Sequence, residues 1–134
     1  MNKDIERRDK ILFGRYDPDK YFGGVRYFRA RVDVIKELLE KDFANPHERD
    51  DDAPSIKEFV EIAETCDKAD VVFEGYAVES NRDDYRITID GVNVTIPDTE
   101  YRKITYMVVT CRDADEFIFV HQNNGTYFMR AWWE

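Results

Sequence analysis

Hydrophobic positions change their spacing partway along the chain. Val32, Ile35, Leu38, Leu39 and Phe43 recur at helical intervals, and so do Ile56, Phe59, Val60, Ala63 and Cys66. The first set predicts a helix from Asp33, whose carboxylate suits an N-cap, to about Phe43. The second predicts a helix that opens on the capping box Ser55-Ile56-Lys57-Glu58 and runs to about Cys66. Between them, ANPHERDDDAP (44–54) reads as a polar loop closed by prolines. Ahead of both, VRYFRARV (25–32) alternates as a strand, with Tyr27, Arg29 and Arg31 on one face and Arg26, Phe28 and Ala30 on the other.

From residue 71 the period is two. Strands are expected at 71–79, 85–89, 92–96, 103–111, 116–121 and 126–133. Asp90-Gly91 reads as a two-residue hairpin turn, and Asn123-Asn124-Gly125 as the last turn. With Asp90-Gly91 as a turn, Tyr85, Ile87 and Ile89 share a face with Val92, Val94 and Ile96. The sum is an α+β fold: a mostly antiparallel sheet of five to six strands with two helices packed on one face. The tyrosines and arginines of the other face are then partly exposed. Residues 1–134 read as a single domain, of which 1–23 read as a loosely packed N-terminal segment, with Ile11, Leu12 and Phe13 open to a short strand or a turn of helix and a turn at Asp17-Pro18-Asp19.

A chain of 134 residues with 43% hydrophobic content can bury a core without a metal or a disulfide. No apolar run approaches the roughly 18 residues of a membrane span. The charged start MNKDIERRDK lacks the apolar stretch of a secretory signal, so a cytoplasmic location is expected. Cys66 and Cys111 are expected to be reduced and packed.

Net charge is −9, unevenly spread. Residues 1–36 hold ten Lys/Arg against six Asp/Glu, a balance of +4; residues 37–134 hold ten against twenty-three, a balance of −13. That field should repel duplex DNA, whose binding requires phosphates to be neutralised by Lys and Arg. Arg15, Arg26, Arg29 and Arg31 alternate with Tyr16, Tyr21, Phe22, Tyr27 and Phe28 in a pattern that could stack single-stranded bases. Pairing with the domain's own carboxylates is the favoured reading.

Candidate chemistry is sparse. His47, Glu48, Asp50, Asp51 and Asp52 contain metal-ligating types, but their spacing fits no known loop, and a solvated loop before a helix N-terminus is expected. His121 sits on a strand, and no signature surrounds either cysteine. Neither a Gly-rich phosphate loop nor a nucleophile elbow nor HExxH is present. No catalytic residue, bound metal or cofactor is therefore expected. The terminal Trp132 and Trp133 point to opposite faces of a strand, so one can be core and the other an interface anchor. With Tyr27, Arg29 and Arg31 they make the expected binding residues.

Three stretches, ANPHERDDDAPSIKEFVEIAE (44–64), VVFEGYAVESNRDDYRITIDGV (71–92) and DADEF (113–117), precede a tryptophan-rich end. Together they resemble an uncharacterised family of small acidic proteins encoded on conjugative and other mobile elements of gut Firmicutes. The resemblance spans roughly residues 20–134. It implies a bacterial cytoplasm and an accessory role, and it carries no catalytic residues. The leading expectation is a non-enzymatic protein–protein interaction module. The alternatives are an acidic decoy that occupies the DNA-binding groove of a host defence protein, and a small hydrolase that works through carboxylates or His121. Protein is the expected partner, and the oligomeric state is open, a homodimer included.

Overall fold

In the computed structural model, which describes all 134 residues, five strands form one antiparallel sheet and four α-helices accompany it. The elements run α1 (Ile5–Phe13), β1 (Val25–Arg31), α2 (Val32–Glu40), α3 (Ile56–Glu64), β2 (Asp70–Val78), β3 (Ile87–Pro97), α4 (Tyr101–Cys111), β4 (Glu116–His121) and β5 (Thr126–Trp132), with a short 3-10 turn at Pro18–Lys20. The strand order is β1-β2-β3-β5-β4. No helix is long and apolar enough to cross a membrane.

The expected α+β class holds, and four of its details change. First, α2 begins at Val32 directly on the end of β1 with no side-chain cap, so Asp33 lies in the first turn rather than at the N-cap. The helix ends at Glu40, three residues before the fully buried Phe43. The Ser55 capping box, by contrast, is complete: Glu58 N–H donates to Ser55 Oγ at 3.2 Å and Ser55 N–H to Glu58 Oε1 at 3.2 Å.

Second, Asp90-Gly91 is not a turn. Residues 87–97 form one strand, and Asp90 is the extra residue of a β-bulge: Ile89 pairs with Gly75 and Gly91 with Glu74, the next residue back. A bulge inverts the side-chain phase just as a tight turn does. Ile87, Ile89, Val92, Val94 and Ile96 therefore all reach the core, each at most 2% exposed.

Third, residues 101–111 form a helix, not a strand. Ile104, Met107 and Cys111 are buried at helical spacing. The topology demands it. Since β3 and β4 are each antiparallel to β5, which lies between them, they run parallel to each other. A parallel connection needs a crossover, usually a helix. Fourth, two expected helices become four, because α1 forms as well.

The N-terminal segment is firmly held. Arg8 and Asp9 on α1 are 0% exposed. Arg8 Nε donates to Asp9 Oδ1 at 2.9 Å, Nη1 to the Val78 carbonyl at 2.8 Å and Nη2 to Tyr21 Oη at 2.9 Å. Tyr21 Oη also donates to Asp9 Oδ2. The segment Asp17–Tyr21 returns over α1 to close this network.

Pairing and alternation divide the sheet into two unlike faces. Phe28, Ala30, Val71, Phe73, Val92, Val94, Met129 and Ala131 point into the core beneath the helices. Phe59 of α3 packs edge-on against Phe73 and Trp133, with centroids 5.8 and 5.6 Å away. Ile104, Met107 and Val108 of α4 line the same apolar gap as Val94, Ile96 and Met129. The other face carries no helix.

Candidate functional site: the open face of the sheet

Four residues expected from the sequence to bind a partner, Tyr27, Arg29, Arg31 and Trp132, fall on the helix-free face. Trp133 does not. It turns into the core, 3% exposed, because alternation sends consecutive strand residues to opposite faces. Its place beside Phe59 removes it from the binding set.

The ladders set the rest of this face in rows. One row runs Arg29, Glu74, Gly91, Trp132, Glu116 across all five strands. The next runs Arg31, Val72, Asn93, Arg130, Ile118. Beyond it come Phe128 and Val120, and on the far side Tyr27 and Tyr76. Tyr27, Ile118 and Val120 are each about half exposed, at 45%, 48% and 47%.

Glu74 lies at the centre, 7% exposed. It accepts hydrogen bonds from Tyr27 Oη and, at 2.8 Å, from Asn93 Nδ2, and Arg130 Nη2 lies 3.5 Å away. Burial works against its charge, but the bonds from Tyr27 and Asn93 and the charges of Arg130 and Arg29 prevail and hold it below the usual carboxylate range. Burial, then the bond to Glu74, pushes the Tyr27 phenol up to about 12. The pair therefore favours an ionised Glu74 hydrogen-bonded to a neutral Tyr27 phenol. Around them Tyr76 bridges edge-on from Tyr27 (6.1 Å) to Trp132 (6.4 Å), and the Arg130 guanidinium lies 5.5 Å from the Trp132 ring centre while reaching Glu116 at 3.4 Å. Aromatics and arginine are the side chains most often found as anchors in protein interfaces.

Trp132 is placed by a glycine. A Cβ on Gly91 would lie 2.5 Å from Trp132 Cε3, so only glycine lets the indole lie over the bulge. Glu74 and Arg130 are the residues that sequence reasoning missed. Glu74 is one acid among many along the chain; its only signal is its alternation with Val72 and Tyr76 on the face opposite Phe73.

Elsewhere the candidate reactive side chains are paired or buried. His121 contacts Asp98 (3.1 Å) and stacks on Tyr127 (4.5 Å) near the exposed end of β4, while Cys66 and Cys111 are both buried. Burial pushes the Cys111 thiol up to about 12, the reverse of what a nucleophile needs. No group of three or more His, Cys, Asp or Glu is arranged to hold a metal ion. Of the N-terminal arginines, Arg15 pairs with Asp17 (3.3 Å) and Arg31 with Asp70, while Arg26 lies 3.6 Å from the Phe13 ring centre. Arg29 has no carboxylate within 4.0 Å.

The acidic loop lies near the bulge. Glu48 pairs with Arg86 at 3.9 Å, and Asp51 and Asp52 line an acidic hollow with Asp113, Asp115, Trp133 and Glu134. Asp90, 3% exposed, accepts from Thr88 Oγ1 at 3.3 Å, and its Oδ1 has no protein donor. Burial, then the neighbouring Asp50 charge, pushes it up to about 7. Between the ordinary carboxylate range and about 7 the folded chain keeps a proton that the unfolded chain has lost, so stability falls as pH rises through that window. Asp90→Asn should stabilise the fold at pH 8 by at least about 1 kcal/mol and flatten that slope. Urea denaturation at pH 5 and pH 8 measures both; an unchanged slope in the variant would assign the dependence to another group.

Comparison with family models, with curated proteins and with solved structures finds no match to this chain.

Proposed function

We propose that this chain is a non-catalytic protein-interaction module that binds through the open face of its sheet. The observation that carries the reading is the uncovered strip Tyr27–Tyr76–Trp132–Arg130, built on a carboxylate that its own neighbours fully engage. Exposed Ile118 and Val120 extend it in apolar surface. A contiguous apolar and aromatic face with charged edges suits a protein partner better than a nucleic acid, for which the −13 carried by residues 37–134 is unfavourable. The resemblance to mobile-element proteins supplies the setting, an accessory role in a bacterium. An acidic decoy would instead need carboxylates strung along an elongated face, whereas Asp51, Asp52, Asp113, Asp115 and Glu134 gather around one hollow.

The test is quantitative capture of partners by tagged wild type and Trp132→Ala. Half-buried Trp132 contributes little to the core, so the variant should keep its fold by circular dichroism. It should lose the captured proteins at least tenfold. Equal capture by the two chains would move the binding surface elsewhere.

A further inference from the structure

The row of residues across the open face has a symmetry that names a partner. Arg29 stands on edge strand β1 and Glu116 on the opposite edge strand β4, and both belong to the single row that passes through Glu74, Gly91 and Trp132. Strand order β1-β2-β3-β5-β4 places β3 at the middle, with Gly91 as the central member of that row. A two-fold axis running along β3, between two sheets stacked face to face, exchanges left and right edges and leaves each row at its own height. It therefore sets Arg29 of each copy opposite Glu116 of the other.

We infer that the open face pairs with the open face of a second copy, in a two-fold dimer pinned at its edges by reciprocal Arg29–Glu116 contacts. The inference rests on the reading of this face as a binding surface. Two features support it.

Charge is the first. On a molecule of net charge −9, two copies repel over most of their surface. The outward ladder residues are the exception: Arg29, Arg31 and Arg130 stand against Asp70, Glu74 and Glu116, so the face is neutral. Of the three arginines, only Arg29 lacks a carboxylate within 4.0 Å in its own chain. Glu116, its side chain 58% exposed, touches only Arg130 at 3.4 Å. Arg29, whose charge reaches Glu74 only at longer range, and Glu116, which shares Arg130, thus put one exposed cation and one accessible anion of each copy at matching places.

Shape is the second. Gly91 on the axis carries no side chain, and the Trp132 ring lies over it. The two indoles then meet around the axis, a central aromatic anchor inside a charged edge. Stacked sheets lie about 10 Å apart. They cross at about 30°, which shifts the edge partners by roughly 5 Å, within reach of an arginine side chain.

Sedimentation velocity from 1 to 300 μM at about 150 mM salt tests this. Wild type should move from monomer to dimer across the range. Arg29→Glu and Glu116→Arg each place like charges opposite each other and should weaken dimerisation at least tenfold. The double variant Arg29→Glu/Glu116→Arg should restore it, because the reversed pair is again complementary. Both positions are exposed, and circular dichroism checks that each variant is folded. A monomer throughout the range overturns the dimer, as does a dimer indifferent to both single reversals, which would point to another surface such as the exposed Tyr101, Tyr106 and Val109 on α4. If the chain is monomeric while Trp132→Ala still abolishes capture of another protein, the self-pairing fails and the open face remains a binding surface. If both fail, the reading of the face falls with it.

Discussion

Arg8→Ala should destabilise the fold by about 3–5 kcal/mol, the usual cost of removing one member of a buried ion pair. Both Arg8 and Asp9 are 0% exposed. Truncation leaves the Asp9 carboxylate with the Tyr21 hydroxyl as its remaining side-chain donor, takes the hydrogen bond from the Val78 carbonyl, and removes the guanidinium stacked 4.8 Å from the Tyr85 ring centre. Against a total stability of roughly 5–15 kcal/mol, this is enough to leave a substantial unfolded fraction. Urea denaturation at pH 7 reads the loss. The double variant Arg8→Ala/Asp9→Ala should lose markedly less than the sum of the single losses, since the second change removes the charge that the first left stranded. A loss under about 1 kcal/mol for Arg8→Ala would mean that α1 is not docked on the sheet in solution.

Gly75→Ala should be of similar severity, about 3 kcal/mol or more, at the upper end of what overpacking costs. A Cβ at this position would lie 1.9 Å from the Thr88 carbonyl oxygen and 3.0 Å from Ile89 Cα. Neither atom is a side-chain end that can swing away. The bulge at Asp90 brings β3 backbone over Gly75, so relief requires the strand to shift and the β2–β3 register to break. Gly125→Ala is the control. Its φ of 79° is strained for alanine, but nothing lies within 4 Å of the added methyl, so the cost should stay near about 1–2 kcal/mol. Thermal or urea unfolding of the two variants side by side separates them. Equal losses would mean that β3 is not bulged against Gly75. Loss of the bulge should also disturb the open face, because the same irregularity sets Glu74 opposite Gly91 and the Trp132 ring above it.

What the sequence determined by itself is local chemistry and period. Ser55 and Glu58 make a cap whatever surrounds them, since both hydrogen bonds close within four residues. Alternation placed Tyr27, Arg29 and Arg31 together on one face of β1, and it requires Trp132 and Trp133 to part company. Tertiary structure decided which of two local solutions each ambiguous stretch took. At Asp90-Gly91 a turn and a bulge give the same facing of Ile87, Ile89, Val92, Val94 and Ile96, so periodicity could not tell them apart. The nine residues of β2, pairing with β3 on both sides of the bulge, selected the bulge. In Tyr101–Cys111 the β-branched Ile104, Thr105, Val108, Val109 and Thr110 favour a strand locally. Insertion of β5 between the parallel β3 and β4 left room only for a crossover, and the stretch became α4. Arg8 and Asp9 belong to the charged start MNKDIERRDK, where nothing local marks them for the interior, and they are buried because residues 17–21 fold back to bring Tyr21 over them. The open face follows the same division. Its aromatic and arginine members were legible from alternation, but Glu74 and Arg130 join them only across strands, in a row whose order no stretch of sequence contains.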